Sequence, residues 1–277
     1  HMKDGFIKVA VTAPDSKVAD CAYNTERICE RIDEAHRHGA SILVFPELCI
    51  TGYTCQDLFL QEKLIAGAKD ALMQLAEASA SIPGIYFVGL PYEINGKLYN
   101  VAAAISDGQV LGMVPKSWIP NYNEFYEMRH FASGAELSTD VTLPDGSEVL
   151  VDREQLFVCE QMNKLKIGVE LCEDLWTPNP PSIAHALAGA DVIVNLSASN
   201  ETVSKDDYRL LLVKSASARL LCGYIYTSAG EGESTQDLVF GGHDLIAENG
   251  TMLAQSSRFS TGILYADLDV LKISSER

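Results

Sequence analysis

The sequence has few basic residues, with 21 lysines and arginines against 38 aspartates and glutamates and a formal net charge of −17. Nucleic-acid binding through bulk charge needs a basic face, so this class of function is excluded, while a local basic pocket stays open. No apolar run approaches the roughly 20 residues that a membrane helix needs, and no signal peptide is recognisable. These absences predict a cytoplasmic protein without nucleic-acid or membrane partners.

Common cofactor and cysteine motifs are missing as well. The sequence contains no HExxH, no P-loop GxxxxGK[ST] and no GxSxG elbow. The seven cysteines are odd in number and form no CxxC pair. We therefore expect free thiols in a reducing compartment, most of them buried, with one serving as a nucleophile, and no metal site.

The 277 residues are 47% apolar, and short apolar runs alternate with helical stretches. Helices are predicted by apolar spacing and stop signals at 20–38, 60–81, 182–188 and 204–221. Strands are predicted at 6–13, 41–45, 85–90, 98–106, 109–115, 156–159, 165–170, 191–196, 223–228 and 262–268. With no linker-like stretch and no repeat, this pattern predicts a single layered α/β domain.

Two segments place a charged residue beside a predicted strand. Glu47 follows an apolar strand and Pro46, and Lys116 follows a hairpin strand and enters an aromatic loop. Most acids at strand ends are plain loop residues, and most lysines are exposed. Taken singly, each residue therefore favours an ordinary surface role over catalysis.

A third segment places Cys172 at the carboxyl end of an apolar strand, where α/β folds build their sites. Glu173 and Asp174 indicate a helical turn, whose backbone N–H groups can lower a thiol pKa and hold an oxyanion. A buried structural cysteine is the alternative interpretation. Cys49 and Cys55 are the rival nucleophiles because they lie near Glu47.

Taken together, the three segments resemble the Glu-Lys-Cys triad of the carbon–nitrogen hydrolase (nitrilase) superfamily. The strings FPELCITGYTCQDLF, PKSWIPNYNEFYEMRHF, GVELCEDLW and NLSASNETVSKDDYR are similar to the amino-terminal glutaminase domain of bacterial glutamine-dependent NAD synthetases. The resemblance covers residues 6–271. It implies an α/β fold of four α-β-β-α layers, with two six-stranded sheets packed face to face.

The resemblance also implies a mechanism for glutamine hydrolysis. Cys172 attacks the side-chain amide, Glu47 acts as the base, and Lys116 stabilises the oxyanion. The residues implied to hold glutamine are Tyr53, Tyr122, Glu127, Trp176, Ser199 and Lys205. Lys205 is expected at the α-carboxylate, and Glu127 either at the α-ammonium or at Lys116, two roles that the sequence does not separate.

The resemblance further implies a domain that works within a longer protein. Residues 1–2 are interpreted as a tag remnant and start methionine, and residues 3–277 as the hydrolase domain. An NAD synthetase also needs a domain with an SGGxDS loop, which is absent here, so ATP and magnesium are expected only for that missing synthetase domain. We expect a homo-oligomer that pairs through the helices at 182–188 and 204–221. The alternatives are a stand-alone amidase or carbamoylase acting on another small amide, and a non-catalytic assembly module.

Overall fold

The computed structural model describes residues 4–119, 121–122, 125–198, 205–229, 243–257 and 260–276. The strands in these ranges are β1 (Phe6–Thr12), β2 (Ile42–Val44), β3 (Ile85–Ile94), β4 (Lys97–Ser106), β5 (Gln109–Pro115), β6 (Asn121–Tyr122), β7 (Phe125–Tyr126), β8 (Ser138–Thr142), β9 (Glu148–Asp152), β10 (Leu156–Cys159), β11 (Leu165–Leu171), β12 (Val192–Ser197), β13 (Gly223–Ser228), β14 (Leu245–Glu248), β15 (Thr251–Gln255) and β16 (Ile263–Asp269). The helices are α1 (Cys21–Arg37), α2 (Glu62–Ser79), α3 (Glu173–Trp176), α4 (Pro181–Leu187), α5 (Lys205–Leu220) and α6 (Val270–Ser275).

Two large sheets carry most of these strands. The first has the order β16-β1-β2-β3-β4-β5-β9-β8, and the second has the order β10-β11-β12-β13-β14-β15. Strands β1, β2 and β3 run parallel, as do β11, β12 and β13. Each sheet therefore gathers the carboxyl ends of several strands at one edge.

Alternation of side chains along the strands assigns the layers. In β1, Val9 faces a core shared with the second sheet, whereas Ala10 faces the core under α1 and α2. In β12, Val194 joins the shared core and Ile193 packs under α5. Because successive strand residues point to opposite faces, each sheet is apolar on both sides. The result is the four-layer α-β-β-α sandwich that the resemblance implies, and this expectation is confirmed.

The expected count of six strands in each sheet is wrong for the first sheet, which has eight in the described part of the chain. Strand β16 adds to the edge of β1 over a seven-residue antiparallel register, from Phe6 opposite Asp269 to Thr12 opposite Ile263. At the other edge, the β8–β9 hairpin joins β5 through the single pair Met113 and Val151. Which strands pair at the edges of a sheet depends on contacts between segments far apart in the sequence, so local residue patterns did not predict these two edge pairings.

The predicted helices agree with α1, α2, α4 and α5 to within a few residues. The side chain of Asp20 accepts a hydrogen bond from the Tyr23 backbone N–H at 3.0 Å and caps α1. Helix α6 was not predicted. None of the described helices combines the length and apolar character needed to cross a membrane. Leu187 on α4 and Leu211 on α5 are exposed, and pairing through these helices stays a prediction.

Gly89 in β3 allows the turn that carries Glu47 to lie directly on the first sheet. A Cβ atom at this position would stand 2.3 Å from the Leu48 backbone nitrogen and 2.9 Å from the Pro46 carbonyl oxygen. The Gly89 carbonyl also accepts the Ile50 N–H at 3.1 Å. A side chain at residue 89 would therefore push the backbone of the Glu47 turn away from the sheet.

We predict that Gly89→Ala destabilises the protein by about 1–3 kcal/mol, as expected for overpacking against backbone. The matched control is Gly67→Ala within α2, where the new Cβ would lie 3.8 Å from Cys21 Sγ, an ordinary contact. This control should be neutral or stabilising by up to about 1 kcal/mol. Denaturant unfolding measures both, and equal stability of the two variants would contradict the packing described for Gly89.

Candidate active site

The candidate site lies where the carboxyl ends of the parallel strands of the two sheets come together. Glu47 follows β2, Lys116 follows β5 and Cys172 follows β11. The Glu47 N–H donates to the Ser197 carbonyl at the end of β12, with N and O 3.3 Å apart. This bond links the two sheets, so the three predicted catalytic residues lie together where the strand ends of the two sheets meet. We call this place the seam.

Glu47 is 1% exposed and is held on one side of its carboxylate. Its Oε1 accepts hydrogen bonds from Lys116 Nζ and Asn100 Nδ2, each at 2.6 Å. Its Oε2 is buried, and no donor within the described ranges bonds it. Burial raises the pKa of Glu47 to about 7, against the lowering effect of Lys116. A carboxylate with one anchored oxygen and a pKa near neutrality is suited to act as a general base.

Lys116 is also buried, and its ammonium lies between two carboxylates. Besides Glu47, its Nζ donates to both oxygens of Glu127, at 3.1 and 3.2 Å. The Tyr53 hydroxyl donates to Glu127 in turn. Burial lowers the pKa of Lys116, but the charges of Glu127 and Glu47 outweigh it and raise the pKa well above its usual range. Lys116 is therefore a permanent positive charge, and Glu127 is placed at Lys116, one of its two expected roles.

Cys172 lies at the start of α3 with φ +26° and ψ −93°, a conformation that L-residues rarely adopt. The predicted helical turn after it is α3. Burial raises the pKa of the Cys172 thiol, and the Glu47 charge raises it further. Lys116 lowers it, and so do the neighbouring Ser197 side chain and the Ala198 N–H. The thiol therefore rests in its neutral form and needs a base to become a nucleophile.

The remaining predicted residues are described to different degrees. Trp176 ends α3 half-buried, with its ring 5.1 Å from the Tyr208 ring. Tyr122 lies in β6 and Lys205 begins α5, and the structure describes these two residues by backbone only. Ser199 lies outside the described residues. Their glutamine-binding roles stay predictions.

The rival thiols have other partners. Cys49 Sγ accepts the Gly89 N–H at 3.3 Å, and burial raises its pKa to about 12. Cys55 Sγ donates to the Thr51 carbonyl at 3.2 Å. No disulfide joins any of the seven cysteines, which all lie in the described ranges. Glu47 and Lys116 both act on the pKa of the Cys172 thiol, and neither contributes to that of Cys49.

The family model for carbon-nitrogen hydrolase matches residues 8–276. The chain belongs to the carbon–nitrogen hydrolase family. The resemblance seen in the sequence is confirmed.

This carbon–nitrogen hydrolase is 41% identical over 275 residues to the glutamine-dependent NAD(+) synthetase of Mycobacterium tuberculosis, covering 99% of this chain and 40% of that protein. Among solved structures, a glutamine-dependent NAD(+) synthetase from Cytophaga hutchinsonii matches with a TM-score of 0.85 and 29% identity, over 95% of this chain and 43% of that one. An amidase from Nesterenkonia sp. shares the fold, with a TM-score of 0.74 and 19% identity over 98% and 93% of the two chains. The chain thus spans about 40% of the length of the curated relative.

Two residues of this hydrolase site were not singled out by sequence reasoning. Asn100 lies in β4 and donates to Glu47. Asp174 is buried, and its carboxylate accepts the backbone N–H groups of Trp118 at 2.9 Å, of Ser117 at 3.4 Å and of Leu171 at 3.4 Å. Asp174 therefore joins the loop after Lys116 to the strand before Cys172. A polar residue inside an apolar strand was the available signal for Asn100.

Two of the described histidines bond partners other than the catalytic residues. His185 Nε2 bonds the Val169 carbonyl at 3.0 Å, and His130 bonds the exposed Asp57. Within the residues that the structure describes, no group of three or more His, Cys, Asp and Glu side chains is placed to hold a metal ion. The described side chains that meet here are thus the Cys172 thiol, the Lys116 ammonium and three carboxylates, those of Glu47, Glu127 and Asp174.

Proposed function

We propose that this chain hydrolyses the side-chain amide of glutamine to glutamate and ammonia through a thioester on Cys172. The observation that carries the proposal is the buried Glu47–Lys116–Glu127 cluster, in which the charges of Glu47 and Lys116 act on the Cys172 thiol. The names of the relatives, which are glutamine-dependent NAD(+) synthetases, support glutamine as the substrate.

Each step has a residue suited to it. Cys172 Sγ attacks the amide carbon while Glu47 Oε2 takes the thiol proton and returns it to the departing ammonia. Lys116 and the backbone N–H after Cys172 stabilise the negative charge on the tetrahedral oxygen. A water molecule activated by Glu47 then attacks the thioester and releases glutamate. Lys116 favours the charged form of Glu47 throughout, because an ammonium at 2.6 Å stabilises a carboxylate.

The proposal also includes a fate for the released ammonia. We infer that it feeds a synthetase domain in the same longer chain, which converts deamido-NAD to NAD with ATP and magnesium. The relatives support this inference because they carry more than twice the length matched here. A stand-alone amidase or carbamoylase is the second candidate, and a panel of small amides distinguishes the two. Preference for glutamine over simple amides is the expected result.

Covalent labelling tests the nucleophile and the substrate class together. A diazo-ketone analogue of glutamine should add once per chain, on Cys172 and not on Cys49 or Cys55. The charges of Glu47 and Lys116 act on the Cys172 thiol, whereas Cys49 Sγ is bonded to the Gly89 N–H and Cys55 Sγ to the Thr51 carbonyl. Peptide mass spectrometry locates the adduct. Cys172→Ala should abolish ammonia release, whereas Cys222→Ala, a buried cysteine outside the site, should retain it. Full activity in Cys172→Ala would refute the assignment.

The pH profile of amide hydrolysis should report Glu47. Activity should fall as the pH drops through about 7, because a protonated Glu47 cannot accept the thiol proton. Asn100→Leu removes a hydrogen bond to the charged carboxylate and should move this limb to higher pH by roughly one unit. The measurement is kcat/KM against pH for both proteins. An unchanged limb in Asn100→Leu would mean that Glu47 does not control it.

A further inference from the structure

A row of buried polar side chains continues from Cys172 along the outer face of the second sheet. Glu170 and Cys172 are two residues apart on β11 and its end, and Asn195 and Ser197 are two apart on β12. Residues two apart on a strand share a face. The register pairs Glu170 with Asn195, and Tyr224 on β13 completes the row. The row is distinct from the Glu47–Lys116–Glu127 cluster.

Hydrogen bonds join the row into one chain. The Tyr224 hydroxyl donates to Glu170 Oε1, and Asn195 Nδ2 donates to the Tyr224 oxygen at 3.0 Å. The Ser197 hydroxyl donates to Asn195 Oδ1 at 2.9 Å. These four side chains are fully buried. At the far end, Glu170 Oε2 accepts the backbone N–H of Ser182 on α4 at 3.0 Å.

The chemistry of a carboxylate fixes the direction of this chain. Burial raises the pKa of Glu170, whereas the hydrogen bonds from Tyr224 and Ser182 favour its ionised form. Ionised, Glu170 accepts at both oxygens, so Tyr224 donates to it. The Tyr224 oxygen then accepts, which requires Asn195 to present its Nδ2 to Tyr224 and its Oδ1 to Ser197. Ser197 is left to donate its one hydrogen to Asn195. Every donor in the row therefore points toward Glu170.

Ser197 is also where the row meets the nucleophile. The Cys172 N–H donates to the carbonyl of Leu196, the residue before Ser197, at 3.0 Å, and the Ser197 side chain acts on the thiol pKa. A hydrogen bond given to the Cys172 sulfur would favour the thiolate. A hydroxyl has a single hydrogen, so Ser197 cannot donate fully to Asn195 and to the sulfur at once. An interaction that keeps the Ser197 hydrogen on Asn195 Oδ1 therefore prevents this hydrogen from stabilising the Cys172 thiolate.

We propose that Glu170 is a positioning residue that, through Tyr224, Asn195 and Ser197, directs the Ser197 hydrogen away from Cys172 and keeps the resting nucleophile a neutral thiol. This inference rests on the proposed role of Cys172. A neutral thiol retains the proton that Glu47 must take and deliver to ammonia. It is also protected from alkylation and oxidation between turnovers, because the thiolate is the reactive form.

The substitution Glu170→Gln tests the direction of the chain. With its oxygen retained at the Ser182 N–H, a glutamine presents its NH₂ group to Tyr224 and donates. Tyr224 then donates to Asn195, the Asn195 amide turns, and the Ser197 hydrogen becomes available to the sulfur. The pH midpoint of Cys172 alkylation by iodoacetamide should fall by roughly one unit, so that labelling below the midpoint is roughly tenfold faster. Peptide mass spectrometry gives the rate for Cys172 itself.

A double-mutant cycle separates this mechanism from a general loosening of the fold. In the Ser197→Ala background, Glu170→Gln should leave the alkylation midpoint unchanged, because the hydroxyl that transmits the effect is gone. If Glu170→Gln does not fold, Tyr224→Phe cuts the same chain and should shift the midpoint in the same direction. Tyr86→Phe is the matched control, since Tyr86 lies on β3 in the first sheet and its hydroxyl donates to the Ile82 carbonyl. It should leave the midpoint at the wild-type value.

The outcomes distinguish this inference from the proposed function. A midpoint that stays or rises in Glu170→Gln, or a fall that persists in the Ser197→Ala background, would overturn the role of Glu170. Such a result would leave glutamine hydrolysis by Cys172 standing. Absence of glutamine-dependent ammonia release from the wild-type protein would instead refute the proposed function, while the alkylation cycle would still report the environment of the sulfur.

Discussion

The buried contact between Lys116 and Glu47 is the interaction on which the site depends. Their charged atoms lie 2.6 Å apart, with both side chains almost fully excluded from water and a second carboxylate, Glu127, on the other side of the ammonium. The free-energy cost of removing such charges from water can exceed the Coulombic gain from pairing them, so a buried cluster of this kind is weak evidence for stability. Here the same desolvation strengthens the electrostatic effect of Lys116 on the base, on the thiol and on any oxyanion that forms beside it. The cluster therefore serves the reaction at Cys172 rather than the stability of the fold.

The architecture supports the cluster by joining two sheets at the ends of their parallel strands. Glu47 comes from the first sheet and Cys172 from the second, and the hydrogen bond from the Glu47 N–H to the Ser197 carbonyl holds these ends together. Asp174 adds a second link by binding backbone N–H groups on both sides of the seam. Gly89 leaves room for the turn of Glu47 against β3. The positions of base and nucleophile thus follow from backbone contacts, which hold them more rigidly than flexible side chains would.

Much of this could be read from the sequence, for identifiable reasons. Apolar alternation located most strands and showed that Glu47, Lys116 and Cys172 each follow an apolar run. Their catalytic roles were implied by the resemblance to the carbon–nitrogen hydrolase family and not by the pattern. The pairing of β16 and of the β8–β9 hairpin at the two edges of the first sheet was not predicted, because it is decided by contacts between segments far apart in the sequence. Asn100 and Glu170 escaped for a different reason. Each is a polar residue inside a buried strand, and its role depends on partners in neighbouring strands that periodicity does not identify.

The measurement that most directly tests the account is a crystal structure of Cys172→Ala with glutamine bound. The account predicts the side-chain amide at the seam between the sheets, with its oxygen within hydrogen-bonding distance of Lys116 Nζ and of the backbone N–H that follows residue 172. The amide carbon should lie about 3–3.5 Å from the position that the sulfur would occupy, and Glu47 Oε2 should face the same space. Glutamine bound elsewhere, or with its amide oxygen directed away from Lys116, would contradict the account.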